Sequence, residues 1–202
     1  FIVFFIYSVV ISLSIQFILL PYFFSEFYLG NGQMHGGDWA VHHAKATVIA
    51  NNISEFGWEA WNFRPMEWGI TGFISLHYGV FGINHPGLLI PLYSGLHALG
   101  AFCIFIIIEK LNVKRFIAIL AVLPYLLFPS SLLWVSQILK DVFTLNSSIF
   151  ILCGLILLLE SSKFEAIKSI IKTQILSFIL IFFGLAIICW IRPYMLTIYF
   201  VF

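Results

Sequence analysis

TQILSFILIFFGLAIICWI, residues 173–191, runs for nineteen residues without Asp, Glu, Lys or Arg and is closed by Arg192. About 20 apolar residues in a helix cross a bilayer core roughly 30 Å thick, so this stretch reads as a membrane span. Four more tracts of the same kind lie at 1–24, 86–108, 116–138 and 142–159, and a sixth begins near 195. The first is too long for the core of a signal peptide and has no small-residue cleavage site before Ser25, so it reads as an anchor. The whole chain agrees. Of its 202 residues 61% are hydrophobic and 9% charged, where soluble domains carry about 25% charged residues. The expected fold is all-α: a multi-pass transmembrane helical bundle with a helical first extracytoplasmic loop. The chain opens at Phe1 without a methionine and stops at Phe202 inside an apolar run. Residues 1–202 are therefore read as the N-terminal part of one transmembrane domain in a longer protein.

Between the first two long spans lies a loop, 25–85, rich in aromatics, histidines and acids. Its stretch 69–82 is apolar but short, and Trp58, Trp61 and Trp68 before it suit a membrane–water boundary. Residues 58–82 are expected to form helices lying in or dipping into that boundary. Pro86-Gly87 opens the next span, proline being well placed in a helix's first turn. Cys103, Cys153 and Cys189 all sit inside apolar tracts and read as small buried hydrophobes. A net charge of +1 argues against a nucleic-acid partner, which requires a basic face.

Orientation follows from the basic residues, which favour the cytoplasmic side. Lys110, Lys114 and Arg115 fall in one short island and Lys163, Lys168 and Lys172 in another, both on one side if the spans alternate. Lys45, Arg64, Lys140 and Arg192 are spread over longer sequence on the other side. The loop 25–85 and the turns at 138–141 and 192–194 then face outward. Asp38, Lys140, Asp141 and Arg192 come from three separate segments and share that face, where a bundle could gather them around one cavity. Ionisable residues at membrane depth are expensive and point to function.

Each residue has a plain role as well. Asp38 follows two glycines and precedes a helix expected over 39–52, so it would serve as an N-cap; the chemical role is a carboxylate base facing the membrane. His35, Asp38, His42 and Lys45 recur at spacings of three, four and three and read as a wet helix face. A metal set of His35, Asp38 and His42 has acceptable ligand types but lacks a diagnostic pattern such as HExxH; hydrogen bonding from His42 and His43 to phosphate or sugar is preferred, and no cofactor is required. Lys140-Asp141 is either an interfacial pair with a snorkelling lysine or a cavity acid beside a phosphate-binding ammonium. Arg192-Pro193-Tyr194 is an interfacial anchor, or Arg192 clamps a phosphate. Arg64, with Glu59 and Glu67, reads as surface charge or as part of the same anion site.

Gly37-Asp38-Trp39, then His42/His43, Ala46 and Ala50, then Gly57 and Tyr78-Gly79-Val80-Phe81-Gly82 resemble the first outer loop of GT-C membrane glycosyltransferases of the protein mannosyltransferase-like and aminoarabinose transferase-like kind. Pro129 to Trp134, Ser136 and Lys140-Asp141 resemble the same family where an acid opens the fourth span. Arg192-Pro193-Tyr194 is similar to a turn in bacterial polysaccharide-assembly membrane proteins. The family's usual aromatic is replaced here by His42 or His43, and the second acid of its common pair by Trp39.

The resemblance implies an inverting transferase in a bacterial plasma membrane, its site facing outward. It would take a sugar from a polyprenyl-phosphate carrier, with its tail among the membrane lipids, to a glycan, lipid or protein acceptor. It implies Asp38 as catalytic base and Asp141 as the second acid. Charge and side assign the donor phosphate to Lys140 and Arg192, with His42, His43, Lys45 and Arg64 as further binding residues. The alternatives are a polysaccharide polymerase or ligase acting on lipid diphosphates, and a non-catalytic transporter-like subunit. The last would place polar groups at mid-span, whereas these spans are nearly charge-free.

Overall fold

The computed structural model describes residues 1–161 and 167–197. It is helical almost throughout: α1 (Ile2–Ser14, continued as a π-helix over Ile15–Phe23), α2 (Asp38–Phe56), α3 (Gly69–Phe81), α4 (Ile90–Lys110), α5 (Arg115–Leu127), α6 (Pro129–Ser136), α7 (Lys140–Ser161) and α8 (Ile167–Ile191). Ile2–Phe23, Pro86–Lys110, Lys140–Ser161 and Ile170–Ile191 are each long and apolar enough to cross a membrane, and the pair α5–α6 makes a fifth if counted as one span. The all-α membrane class expected from the sequence is thus the one observed. Residues 195–197 begin a helical turn; the rest of the expected sixth span, Lys163 and the Lys168 side chain lie outside what is described.

The span expected at 116–138 is not straight. It breaks between Leu127 and Pro129 with a bend of 64°. A residue before proline is pushed out of the α region, and Phe128 sits at φ −64°, ψ 134°. Pro21 lies in the π-helical segment that ends the first span, where its missing N–H and ring bulk disfavour regular α-helix.

Residues 58–68 form two short 3₁₀ turns joined by loops, and the stretch expected at 69–82 folds as the regular helix α3, much of whose surface is covered by the bundle. Ile70, Thr71, Phe73, Ile74, Ser75 and Tyr78 are all buried, packed against α2 and α8. Small residues permit this. A Cβ on Gly69 would collide with the Trp190 carbonyl, and one on Gly72 with the Phe63 carbonyl, so both backbones approach where only glycine fits.

α4 is the hub, touching α1, α5, α6 and α7. Its His97 is fully buried, with Nδ1 2.9 Å from Ser8 Oγ and its ring stacked on Tyr125 at 4.6 Å; Tyr125 donates to Asn146 Oδ1 at 2.9 Å. The spans therefore hold a polar cluster that a count of charged residues passes over. α7 and α8 pack through two matched notches. A Cβ on Gly154 would lie 2.8 Å from the Ser177 carbonyl, and one on Gly184 2.8 Å from the Ser147 carbonyl. Cys103 and Cys153 are buried, as expected, but Cys189 is exposed on α8, whose outward face carries Phe178, Ile179 and Phe182.

Before α2 the chain makes a small antiparallel hairpin, β1 (Tyr28–Gly30) and β2 (Gln33–Met34). Its turn holds Asn31 and Gly32 at φ 54° and 77°, the conformation that Asn-Gly favours in two-residue hairpins.

Candidate functional site

A cavity of about 540 Å³ opens at the end of the bundle where α2, α3 and α7 begin and α8 ends. Asp38, His42, Arg64, Glu67, Trp68, Lys140, Arg192 and Tyr194 are among its walls. Segments more than 150 residues apart in the chain, from Asp38 to Arg192, meet here.

Asp38 differs from its expected capping role. It is the first residue of α2 rather than the residue before it, and Gly37 occupies the cap without a side-chain bond. Its carboxylate instead accepts from Lys140 Nζ at 2.9 Å. The hydrogen bond and charge of Lys140 hold the Asp38 carboxyl below the usual carboxylate range, because an adjacent cation favours the ionised form. Next along α7, Asp141 accepts from Arg192 Nη2 at 2.6 Å. Asp141 is not itself a wall of the cavity but steers Arg192, which is.

His42 is buried, with Nδ1 3.0 Å from Thr71 Oγ1 on α3 and its ring edge-on to Trp68 at 5.2 Å. Burial, with the charge of Lys140 adding to it, lowers its pKa to about 4, so the imidazole is neutral near pH 7. Among the described residues, His42 Nε2, Arg64 Nε and Arg192 Nε are buried polar atoms with no hydrogen-bond partner. Buried donors are ordinarily satisfied, so the walls of the cavity hold polar groups that are incompletely paired.

The segment that presents Arg64 and Trp68 is strained. Met66 and Glu67, neither of them glycine, both have positive φ (52° and 66°). Such a conformation persists only where surrounding contacts enforce it. Here Arg64 Nη2 donates to the Glu67 carbonyl at 3.2 Å, Trp190 Nε1 donates to the Phe63 carbonyl at 3.3 Å, and Phe63 stacks on Trp190 at 4.5 Å.

Two expected binding residues lie elsewhere. His43 sits on another side of α2, its Nδ1 2.9 Å from the Tyr78 hydroxyl, and burial lowers its pKa. Consecutive helical residues point about 100° apart, so His42 and His43 cannot serve one site. Lys45 backs the cavity without lining it: its Nζ lies 3.7 Å over the Trp68 ring. His35, Asp38 and His42 do not form a metal-ligand group, and no set of three or more His, Cys, Asp or Glu placed to hold a metal occurs among the described residues. The sequence reading missed Trp68 and Tyr194 as cavity walls, and also Gly69 and Gly72, whose close approaches dock the Arg64 loop beside the end of α8.

Comparison with protein-family models, with curated proteins and with solved structures finds no match.

Proposed function

We propose that the protein is a glycosyltransferase that moves a sugar from a polyprenyl-phosphate carrier to a glycan, lipid or protein acceptor at the extracytoplasmic face of a bacterial plasma membrane. The observation that carries this reading is the meeting of Asp38, Lys140, Arg64 and Arg192 on one cavity at the end of an apolar bundle. A lipid-borne donor keeps its tail in the bilayer, so its reacting phosphate must be met at such a place.

In the transfer, the acceptor oxygen attacks the anomeric carbon while the bond from that carbon to the phosphate oxygen breaks. The acceptor proton passes to Asp38, and the leaving phosphate takes the bonding electrons and a full negative charge. Positive charge developing on the sugar and negative charge on the phosphate lie where Asp38 and the cations stand. In the resting site Lys140 suppresses the basicity of Asp38. A phosphate that draws Lys140 away restores it, so donor binding primes the base. Lys140 and Arg192 are each already paired with one acid. A donor of low charge, such as a monophosphate-linked sugar, suits this cavity better than the diphosphate carriers of polymerases and ligases.

The test is Asp38→Asn in the full-length protein, assayed for sugar transfer from a polyprenyl-phosphate donor. Loss of a general base lowers the rate by about 10²–10⁴ while the fold persists. Transfer at the unmodified rate would remove Asp38 from the mechanism.

A further inference from the structure

Side chains outside the cavity tie the two halves of the Asp38–Lys140 pair together. Gln137, three residues before Lys140, is only 2% exposed. Its Oε1 accepts the Met34 N–H at 3.1 Å and its Nε2 donates to the Gly32 carbonyl at 3.1 Å. One amide side chain has a donor and an acceptor, and here it pairs the hairpin backbone as a neighbouring strand would. On the other side of Met34, the carbonyl accepts Trp39 Nε1–H at 2.5 Å, and Trp39 follows Asp38. Behind them Gln16 of the first span donates to the Ser136 carbonyl at 2.5 Å. Asp38, Trp39, Met34, Gln137 and Lys140 thus form a ring closed by the 2.9 Å ion pair.

The ion pair is the weak link of this ring. Side-chain exposures of 64% for Asp38 and 33% for Lys140 put it among the pairs that contribute little in water. It joins residues 102 positions apart in sequence. The bond from Gln137 to the Gly32 carbonyl is buried and that from the Met34 N–H partly so, and buried partners are costly to separate. The ring therefore holds the pair, and not the reverse.

We propose that Gln137, acting through the 28–34 hairpin and Trp39, is a positioning residue that sets the separation of Asp38 and Lys140. The purpose of that separation rests on the transferase reading; the geometry does not. The device lets Lys140 leave Asp38 for a substrate anion while both stay at the cavity.

The test uses Asp38→Cys/Lys140→Cys in the full-length protein in membranes, with a short, water-soluble bifunctional thiol reagent. This double variant has no ion pair, so proximity depends on the Gln137–Met34–Trp39 links together with the packing of α2 on α3 and of α7 on α8. The expected result is fast cross-linking with Gln137 and Trp39 intact. Q137L should slow it roughly thirtyfold, two net hydrogen bonds' worth, and W39F roughly fivefold, one bond's worth. If Q137L does not fold, Q137E decides in its place: it keeps the shape and the acceptor but loses the donor to Gly32, and should slow cross-linking. In the parent protein W39F should also move the acid limb of the transfer pH profile upward, as Asp38 escapes Lys140; a general loss of stability would not. Unchanged cross-linking in W39F and in whichever Gln137 variant folds overturns the proposal. Absence of sugar transfer in the unmodified protein would instead overturn the transferase reading and leave the cross-linking result to stand for this one.

Discussion

Replacing Gly184 with alanine should loosen the α7–α8 hairpin and, with it, the cavity. α7 begins at the Lys140-Asp141 pair and α8 ends just before Arg192, so the seam between them sets the Asp141–Arg192 contact. A Cβ on Gly184 would lie 2.7 Å from Ile151 Cγ1 and 2.8 Å from the Ser147 carbonyl. Ordinary contact needs roughly 0.6 Å more. The Ser147 carbonyl belongs to helix backbone and cannot swing aside, so the helices must part. Overpacking of this kind costs about 1–3 kcal/mol, against about 1 kcal/mol gained when alanine replaces glycine in a helix. Gly95 of α4 supplies the control, because a Cβ there meets nothing nearer than Phe5 at 4.0 Å. The difference between G184A and G95A therefore isolates the contact, at about 1–3 kcal/mol. Gly154 makes the matched contact seven residues beyond Ser147 on α7, about 10 Å along the helix. Because parting the same two helices relieves both contacts, the loss in the G154A/G184A double variant should be smaller than the sum of the two single losses. Unfolding in mixed detergent micelles, followed by tryptophan fluorescence, measures all four variants. If G184A is as stable as G95A, the close approach of α7 and α8 is wrong, and so is the account of how Asp141 reaches Arg192.

Other outcomes follow from the charges around the cavity. His42 titrates near 4 when folded and near 6.5 when unfolded, so between those values the unfolded chain binds more protons. Stability should fall as pH drops from about 6.5 to about 4, by up to about 3 kcal/mol, and His42→Gln should flatten that slope in thermal melts. Lys140→Gln removes the cation that holds the Asp38 carboxyl down; under the proposed transferase function the acid limb of the pH profile should shift to higher pH, and a limb that stays put would mean Asp38 is not the titrating base. Asp141→Asn strips Arg192 of its carboxylate partner and should destabilise the protein by about 1–3 kcal/mol, the cost of leaving a mostly buried charge unpaired. In a double-mutant cycle Arg192→Gln should then cost less on the Asp141→Asn background than alone, and strictly additive losses would show the pair to be uncoupled.

The spans were legible because the bilayer imposes one simple rule on composition. The break at Phe128–Pro129 was legible in principle from Pro129 alone. The convergence of Asp38, Lys140 and Arg192 followed from span parity, since alternate crossings return the chain to the same face. What parity could not reveal is which way a side chain turns on its helix. His42 faces the cavity and His43 faces Tyr78 because neighbours on a helix diverge, and the register depends on α3. The burial of α3 was hidden because Gly69, Gly72 and Ser75 carry no apolar signal, although they permit the tight packing. The hairpin carried a readable cue, Asn31-Gly32, but its strands are too short to show alternation. Gln16 and Gln137 look like stray polar residues in the sequence; only their backbone partners, more than 100 residues away, give them a role.

The central claim is that remote acids and cations share one cavity. Its volume corresponds to a sphere about 10 Å across, and Val41 on α2 and Tyr194 beyond α8 are both exposed walls of it that take no part in the ion pairs. The direct measurement is cross-linking of Val41→Cys/Tyr194→Cys in membranes with a thiol reagent of about that reach. The account predicts a covalent link between these positions at a rate well above that of either cysteine paired with one at Asn112, at the far end of α4. Equal rates, or no link while both cysteines take a single label, would contradict it.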